Sequence, residues 1–392
     1  MINKTHIPKW ILPVIVLSQF CGTSLWFSSN AVLQDLSNHF SLPENALAHI
    51  TSAVQFGFIT GTLVFAILSI ADRFSPSKVF AISALIAAVF NGVIIWDHHT
   101  LTSILILRFL TGFFLAGIYP VGMKIAADYY DKGLGKSLGF LVGALVLGTA
   151  FPHLLHGFTE QLPWKTILII TSIIAVSGGF LLYFLVPDGP YRTKSPALNL
   201  SVIPKIFKDK SFKAAAFGYF GHMWELYAFW AFVPFIITAY TIIHPNNSLN
   251  IAISSFVVIA IGAFACVIGG YISLYKGVKK TALVSLTLSG LFCVISPLLF
   301  MIPSQALFLT ILSLWGMVVI ADSPMFSTLV AQNAPPIYKG TALTIVNCIG
   351  FAITIISIQI LLLLQSYLDV KYLLLILAIG PIFGIISICK ST

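Results

Sequence analysis

Apolar runs long enough to cross a membrane recur along the whole chain, separated by short polar breaks. A hydrocarbon core of about 30 Å needs roughly 20 apolar residues per helical crossing. The pattern predicts twelve crossings, at 10 to 33, 47 to 71, 79 to 96, 101 to 127, 138 to 158, 165 to 186, 214 to 240, 250 to 272, 281 to 301, 306 to 331, 341 to 366 and 372 to 389. They fall into six, a pause, and six. The pause, residues 188 to 213, carries Pro190, Pro196 and Pro204 with the cations Arg192, Lys194, Lys205, Lys208, Lys210 and Lys213, the composition of a water-exposed linker. An all-α membrane protein of twelve transmembrane helices is expected, with one six-helix bundle over 1–187, a linker over 188–213 and a second bundle over 214–392. The first run follows Lys4 and Lys9 like a secretion signal, but it continues past Trp26 without a small-residue cleavage site, so it is read as an uncleaved first helix.

Composition agrees with the pattern. At 58% apolar and 8% charged residues, the chain has too few polar groups to cover a water-exposed surface. The net charge of +9 does not point to nucleic acid, because the cations sit in short loops and form no basic stripe with interleaved aromatics. Their placement instead predicts orientation, since Lys and Arg accumulate in cytoplasmic loops. With the N-terminus inside, seventeen of the 21 are cytoplasmic, Lys165 and Lys371 lie outside, and Arg108 and Lys124 fall within crossings. Both termini are thus expected in the cytoplasm of a cell with an inner membrane. Cys21, Cys266, Cys293, Cys348 and Cys389 all lie in apolar runs with no CxxC spacing, so neither a disulfide framework nor a metal site is indicated. No phosphate-binding glycine loop is present, and no cofactor is expected.

The two halves repeat each other. Gly112 is followed eight residues later by Pro120 in the fourth crossing, and Gly316 eight residues later by Pro324 in the tenth, about 200 residues on. The loop after the second crossing (Asp72, Arg73, Ser75, Lys78) has a counterpart after the eighth (Gly269, Gly277, Lys279, Lys280). On these residues the chain resembles the major facilitator superfamily over essentially its whole length. The loop from Ala71 to Lys78, ADRFSPSK, is similar to that family's signature between helices 2 and 3, and RFLTGFFLAG, Arg108 to Gly117, resembles its fourth-helix pattern. Leu68 and Ser75 replace glycines of the loop signature, and Ser273 replaces the acid of its second copy. The resemblance implies two pseudo-symmetric six-helix bundles, a monomer, and a cytoplasmic gate at Asp72, Arg73 and Lys78, held chiefly by the first two. Gly139, Gly148 and Pro152 form only an incomplete version of the glycine-rich fifth-helix signature of drug/proton antiporters. The string from Gly22 to Leu33, GTSLWFSSNAVL, is similar to a bacterial twelve-helix branch of the superfamily for which no substrate is implied.

Of the twelve acids only Glu225 and Asp322 lie well inside a crossing. Charged groups in hydrocarbon are expensive, on the order of 2.5 to 3.5 kcal/mol for Asp on insertion scales, and so face the bundle interior and are functional by default. Glu225 is about eleven residues into its helix, roughly 16 Å deep. His222, three residues earlier, shares its face. The pair is expected to take up and release a proton, or else to form a structural hydrogen bond. Asp322, beside the helix-bending Pro324, is a second proton site or gate, or caps the bend or pairs with Lys124. Arg108 is read either as a bidentate clamp for a substrate carboxylate or phosphate, or as a partner of Glu225 in the empty state. Trp26, Tyr119, Trp224, Tyr227 and Trp230 supply candidate aromatic walls, because the resemblance places helices 1, 4, 7 and 10 around the cavity. His153 is deep as well, and a lone histidine is more often satisfied core.

These readings converge on a proton-coupled secondary transporter, importing a small organic anion or zwitterion by alternating access. The rivals are a proton-antiport exporter of drugs or of a secreted metabolite such as a siderophore, and a membrane-embedded enzyme using His222 and Glu225 as acid and base. The absence of any nucleophile motif speaks against the enzyme.

Overall fold

The protein is seen in a computed structural model that describes residues 7–43, 45–130, 134–158, 163–192 and 198–390. All regular structure among the described residues is helical. In chain order the crossings are α1 (Ile11–Thr23, resuming as Ser28–Ala31 and Leu33–Phe40), α2 (Ala46–Ile67), α3 (Pro76–Val93), α4 (Leu101–Leu115, then Tyr119–Tyr129), α5 (Leu134–Phe158) and α6 (Lys165–Leu185). The second half comprises α7 (Lys210–Ile243), α8 (Ile251–Ala260, then Gly262–Lys276), α9 (Val278–Leu299), α10 (Gln305–Ala321, then Ser323–Asn333), α11 (Lys339–Leu364) and α12 (Val370 to Cys389 in three short turns). Eleven of these are long and apolar enough to cross a membrane, and α1 adds a shorter apolar helix. This is a multi-pass membrane protein. The expected linker is corrected at its end: Asp209 caps α7 by accepting from the Phe212 N–H at 2.8 Å, so the helix starts inside the segment read as linker.

Glycines set the helix spacing. A Cβ on Gly112 of α4 would lie 1.9 Å from the Val54 carbonyl oxygen of α2, and one on Gly316 of α10 would lie 2.1 Å from the Val258 oxygen of α8. The repeated glycine thus serves the same close helix approach in both halves. The repeated proline breaks both helices. Proline lacks an N–H and its ring clashes with the carbonyl four residues back, so α4 is interrupted before Tyr119 and α10 at Asp322.

The first crossing, expected as one helix over 10 to 33, is also broken. Thr23 Oγ1 and Ser24 Oγ bond back to the carbonyls of Gln19 (2.8 Å) and Cys21 (2.7 Å), a geometry that bends helices. The chain turns through Leu25–Phe27 before helix resumes at Ser28. The two halves meet along α2 with α11 and α5 with α8, and their inward faces share one continuous buried core. Toward the end remote from the linker, Gln359 of α11 donates to Ser52 Oγ (2.8 Å) and the Ala48 carbonyl (3.3 Å) of α2.

Candidate functional site

The break in α1 exposes backbone carbonyls inside the bundle, and Arg108 of α4 takes them. Its Nη2 donates to the Leu25 oxygen (3.1 Å) and the Trp26 oxygen (2.5 Å), and its Nη1 to Ser28 Oγ (3.2 Å) and Asn91 Oδ1 (3.1 Å). Asn91 is anchored in turn by its amide, which donates to Ser172 Oγ (3.0 Å) and the Leu168 carbonyl (3.2 Å) of α6. The guanidinium is fully buried. The expectation that Arg108 faces the cavity as an anion clamp, or pairs with Glu225, is therefore corrected. The broken helix supplies acceptors closer to hand, and both terminal nitrogens are committed to them.

Glu225 and His222 do share a face of α7, but each finds its own partner. Glu225 is 0% exposed, and its Oε1 accepts from Ser289 Oγ (2.6 Å), Trp315 Nε1 (2.7 Å) and Cys293 Sγ (3.2 Å). Its Oε2 is buried with no hydrogen-bond partner. His222 Nδ1 instead lies 2.8 Å from Asp322 Oδ1 at the break in α10, both side chains 1% exposed. The pairing follows from antiparallel packing of α7 and α10. Trp315 and Asp322 are seven residues, or two helical turns, apart on α10 and meet Glu225 and His222 in reverse order. Lys124, read as a possible partner of Asp322, bonds elsewhere. Three titratable groups thus line one helix–helix seam, and no described group of three or more His, Cys, Asp or Glu is arranged to hold a metal.

Between the halves lies an aromatic cluster. Trp26 stacks on Tyr227 with ring centroids 5.7 Å apart, and touches Phe58 at 4.9 Å and Phe351 at 5.6 Å. Tyr227 contacts Phe351 (5.1 Å) and Trp230 (5.2 Å). Trp26, Tyr227 and Trp230 are thus brought together from α1 and α7, joined by Phe58 of α2 and Phe351 of α11. Tyr119 is buried just past the break in α4. Trp224 is corrected: its indole donates to the Ile376 carbonyl of α12 at 3.1 Å, because it projects from a different face of α7. His153 is buried on α5.

At the linker end, Lys124 Nζ lies 3.1 Å from Asp72 Oδ1 and 3.5 Å from Asp128 Oδ1. Arg192 donates to the carbonyls of Phe74 (2.7 Å) and Asp72 (3.2 Å) and pairs with Asp188, which also accepts from Ser75 Oγ at 2.7 Å. Arg73 and Lys78 are exposed. The loop expected to be held by Asp72 and Arg73 is held by Asp72 with Lys124 and Arg192. At the opposite end, a hydrogen bond from Lys165 holds the Asp97 carboxyl below the usual carboxylate range.

Sequence reading passes over Ser28, Asn91, Asn30, Gln55, Ser289 and Trp315, and takes Arg192 only as a linker cation. Ionisable groups stand out within the crossings, but a lone neutral amide in an apolar helix, as at Asn91 or Gln55, is also costly unless partnered. That signal was present.

The model of the Major Facilitator Superfamily matches residues 15–358. Among curated proteins, the uncharacterized transporter YgaY of Escherichia coli O157:H7 is 24% identical over 55% of this chain and 58% of its own length. The cercosporin MFS transporter CTB4 of Cercospora nicotianae is 32% identical over 50% of this chain and 38% of its own. An uncharacterized transporter of Buchnera aphidicola subsp. Schizaphis graminum is 26% identical over 48% and 46%. The chain thus spans about half the length of the curated relatives it matches. Among solved structures, the proton:xylose symporter XylE bound to 6-bromo-6-deoxy-D-glucose superposes with a TM-score of 0.73 over 97% of this chain and 95% of that one, at 13% identity.

Proposed function

The chain belongs to the major facilitator superfamily, and from that premise we propose that it is a proton-coupled carrier in which the two six-helix halves rock about a midplane site. The observation that carries the coupling is the burial of Glu225 and of the His222–Asp322 pair on facing helices. Ionisable groups held in the interior of a bundle mark proton or ion pathways. Asp322 sits at the break that Pro324 makes in α10, so a change in the charge of its pair with His222 acts where that helix bends. The geometry does not support the organic-anion clamp expected of Arg108, and we set that reading aside. The distribution of Lys and Arg supports an inner-membrane protein with both termini and the linker in the cytoplasm. The Asp72–Lys124–Arg192 cluster would then brace the cytoplasmic ends of α2 to α4 during the cycle, in a monomer.

Trp315 offers a test that needs no solute. Its indole N–H bonds directly to Glu225, so its fluorescence reports the charge on that carboxyl. The Trp315 emission, isolated as the difference from Trp315→Phe, is expected to follow pH in a single transition that Glu225→Gln abolishes. An emission profile unaltered in Glu225→Gln would refute the assignment of Glu225 as a proton carrier.

A further inference from the structure

Among the described residues, four side chains at the seam between the halves carry hydrogen-bonding atoms that are buried and have no partner: the Trp26 indole N–H, the Asn30 carbonyl oxygen, both ends of the Gln55 amide, and the Trp230 indole N–H. Chain order and packing gather three of them. Trp26 lies in the break of the first crossing and Asn30 four residues on, in the helix that resumes at Ser28, and the Asn30 amide donates to Thr51 Oγ1 of α2 at 2.7 Å. Thr51, Gln55 and Phe58 follow at spacings of four and three along one face of α2, and the Phe58 ring lies against Trp26. Trp230 joins from the other half through Tyr227 and Phe27, which it meets at ring distances of 5.2 and 6.5 Å. Leaving a buried polar group unsatisfied costs about 1–3 kcal/mol, and one such group in a native structure calls for a specific explanation. Here four residues share one aromatic-walled seam.

None of the four is charged. The nearby cation, Arg108, has both terminal nitrogens committed to α1 and Asn91, leaving only Nε without a partner, and Glu225 is held through Oε1 by Ser289 and Cys293 of α9 and Trp315 of α10, its unpartnered Oε2 lying on that side of α7. A charged solute entering this seam would lose its hydration without gaining a counter-ion. The walls favour a flat molecule. Trp26 of one half and Tyr227 of the other are stacked 28° from parallel at 5.7 Å. A ring intercalated between two others needs about 7 Å, twice a contact distance of about 3.5 Å, which a small rocking of the halves provides.

We propose that the transported solute is an uncharged, flat-ring molecule bearing both hydrogen-bond donors and acceptors, held by Trp26, Asn30, Gln55 and Trp230 between the Trp26 and Tyr227 rings. Two indole N–H groups and the Gln55 amide nitrogen donate to its acceptors, while the Asn30 and Gln55 oxygens accept from its donors. The inference rests on the carrier reading above.

Isosteric probes test it: benzamide, nicotinamide and indole-3-carboxamide, each beside its carboxylate and its amidinium, with the melting temperature of the purified full chain in detergent as readout. At least one amide is expected to raise the melting temperature, while both of its ionised counterparts leave it unchanged. Gln55→Leu removes a buried amide that has no partner, so the ligand-free protein should melt no lower, yet its affinity for the amide should fall about tenfold. Trp230→Phe, which keeps an aromatic ring while removing the indole N–H with the pyrrole half of the bicycle, should weaken binding in the same direction. Equal or stronger stabilisation by a carboxylate or amidinium, no response to any amide, or unchanged amide affinity in both variants would overturn the proposal. Failure of proton coupling is seen separately, in the solute-free Trp315 titration.

Discussion

The pair α1 and α4 in the first half, and its counterpart α7 and α10 in the second, solve one packing problem with different chemistry. Gly112 and Gly316 lie 204 residues apart, as do Pro120 and Pro324, and each pair plays the same part in its half. The same offset sets Trp26 against Trp230, and Arg108 against Leu312, which is fully buried. Where the arginine stands, the neighbouring helix α1 is broken and its carbonyls are taken up. Where the leucine stands, α7 runs unbroken for 34 residues. Buried charge in the α1–α4 pair is thus bound to backbone and holds a shape, whereas in the second half ionisable groups sit on Glu225, His222 and Asp322, the residues proposed above to carry protons. A symmetric scaffold has been divided into a fixed face and a switchable one.

The largest expected effect breaks the fixed face. Arg108→Leu, which installs the residue of the second half, orphans the carbonyls of Leu25 and Trp26. At about 1–3 kcal/mol for each buried group left unsatisfied, stability should fall by about 2–6 kcal/mol, read as a lower melting temperature without any solute. Arg108→Lys should recover only part of this, because an ammonium lacks the planar fork that reaches all four acceptors. A solute clamp would behave otherwise, leaving the ligand-free protein as stable as before.

How far the sequence speaks for these two faces follows from what each signal measures. The crossings are legible because lipid imposes a length and an apolar composition on every one of them, and the Gly–Pro repeat because close packing and helix breaking each admit few residue types. Glu225 and Asp322 stand out as the deep acids. Their partners do not, because Trp315 and Ser289 are ordinary residues in apolar helices until α9 and α10 are docked on α7. Arg108 is misread for a related reason. Depth in a crossing shows that a charge needs a partner, but nothing in the linear order shows that α1 breaks at Leu25–Phe27 and offers backbone carbonyls there. The Thr23–Ser24 pair that bends α1 is visible, yet hydroxyls of this kind also occur in straight helices.

Shared packing predicts equal effects where the halves are alike. Gly112→Ala and Gly316→Ala each drive a methyl to within about 2 Å of a carbonyl oxygen on the adjacent helix. Overpacking of this kind typically costs about 1–3 kcal/mol, and denaturation should show losses of similar size in both variants. Gly270 of α8 has nothing within 4 Å of its would-be Cβ, so Gly270→Ala should be neutral or gain up to about 1 kcal/mol from helix propensity. Loss in only one of the two paired variants would show that the halves do not rest on equivalent contacts.

The smallest effect concerns how the faces separate. Gln359 of α11 bridges to Ser52 and Ala48 of α2, tying the halves together toward the end away from the linker. A partly buried neutral hydrogen bond contributes about 1 kcal/mol, so Gln359→Leu should favour opening at that end by about fivefold without lowering the melting temperature much. The rate at which an impermeant thiol reagent labels a cysteine placed at Ala48 reads that opening. Ala48 is fully buried where α2 meets Gln359 of α11, so it reacts only when the seam parts. If the rate does not rise, the aromatic cluster holds the halves closed without Gln359. The fixed face would then act as gate as well as wall, because Trp26, which Arg108 positions through its backbone carbonyl, would be the element that must move for solute to pass.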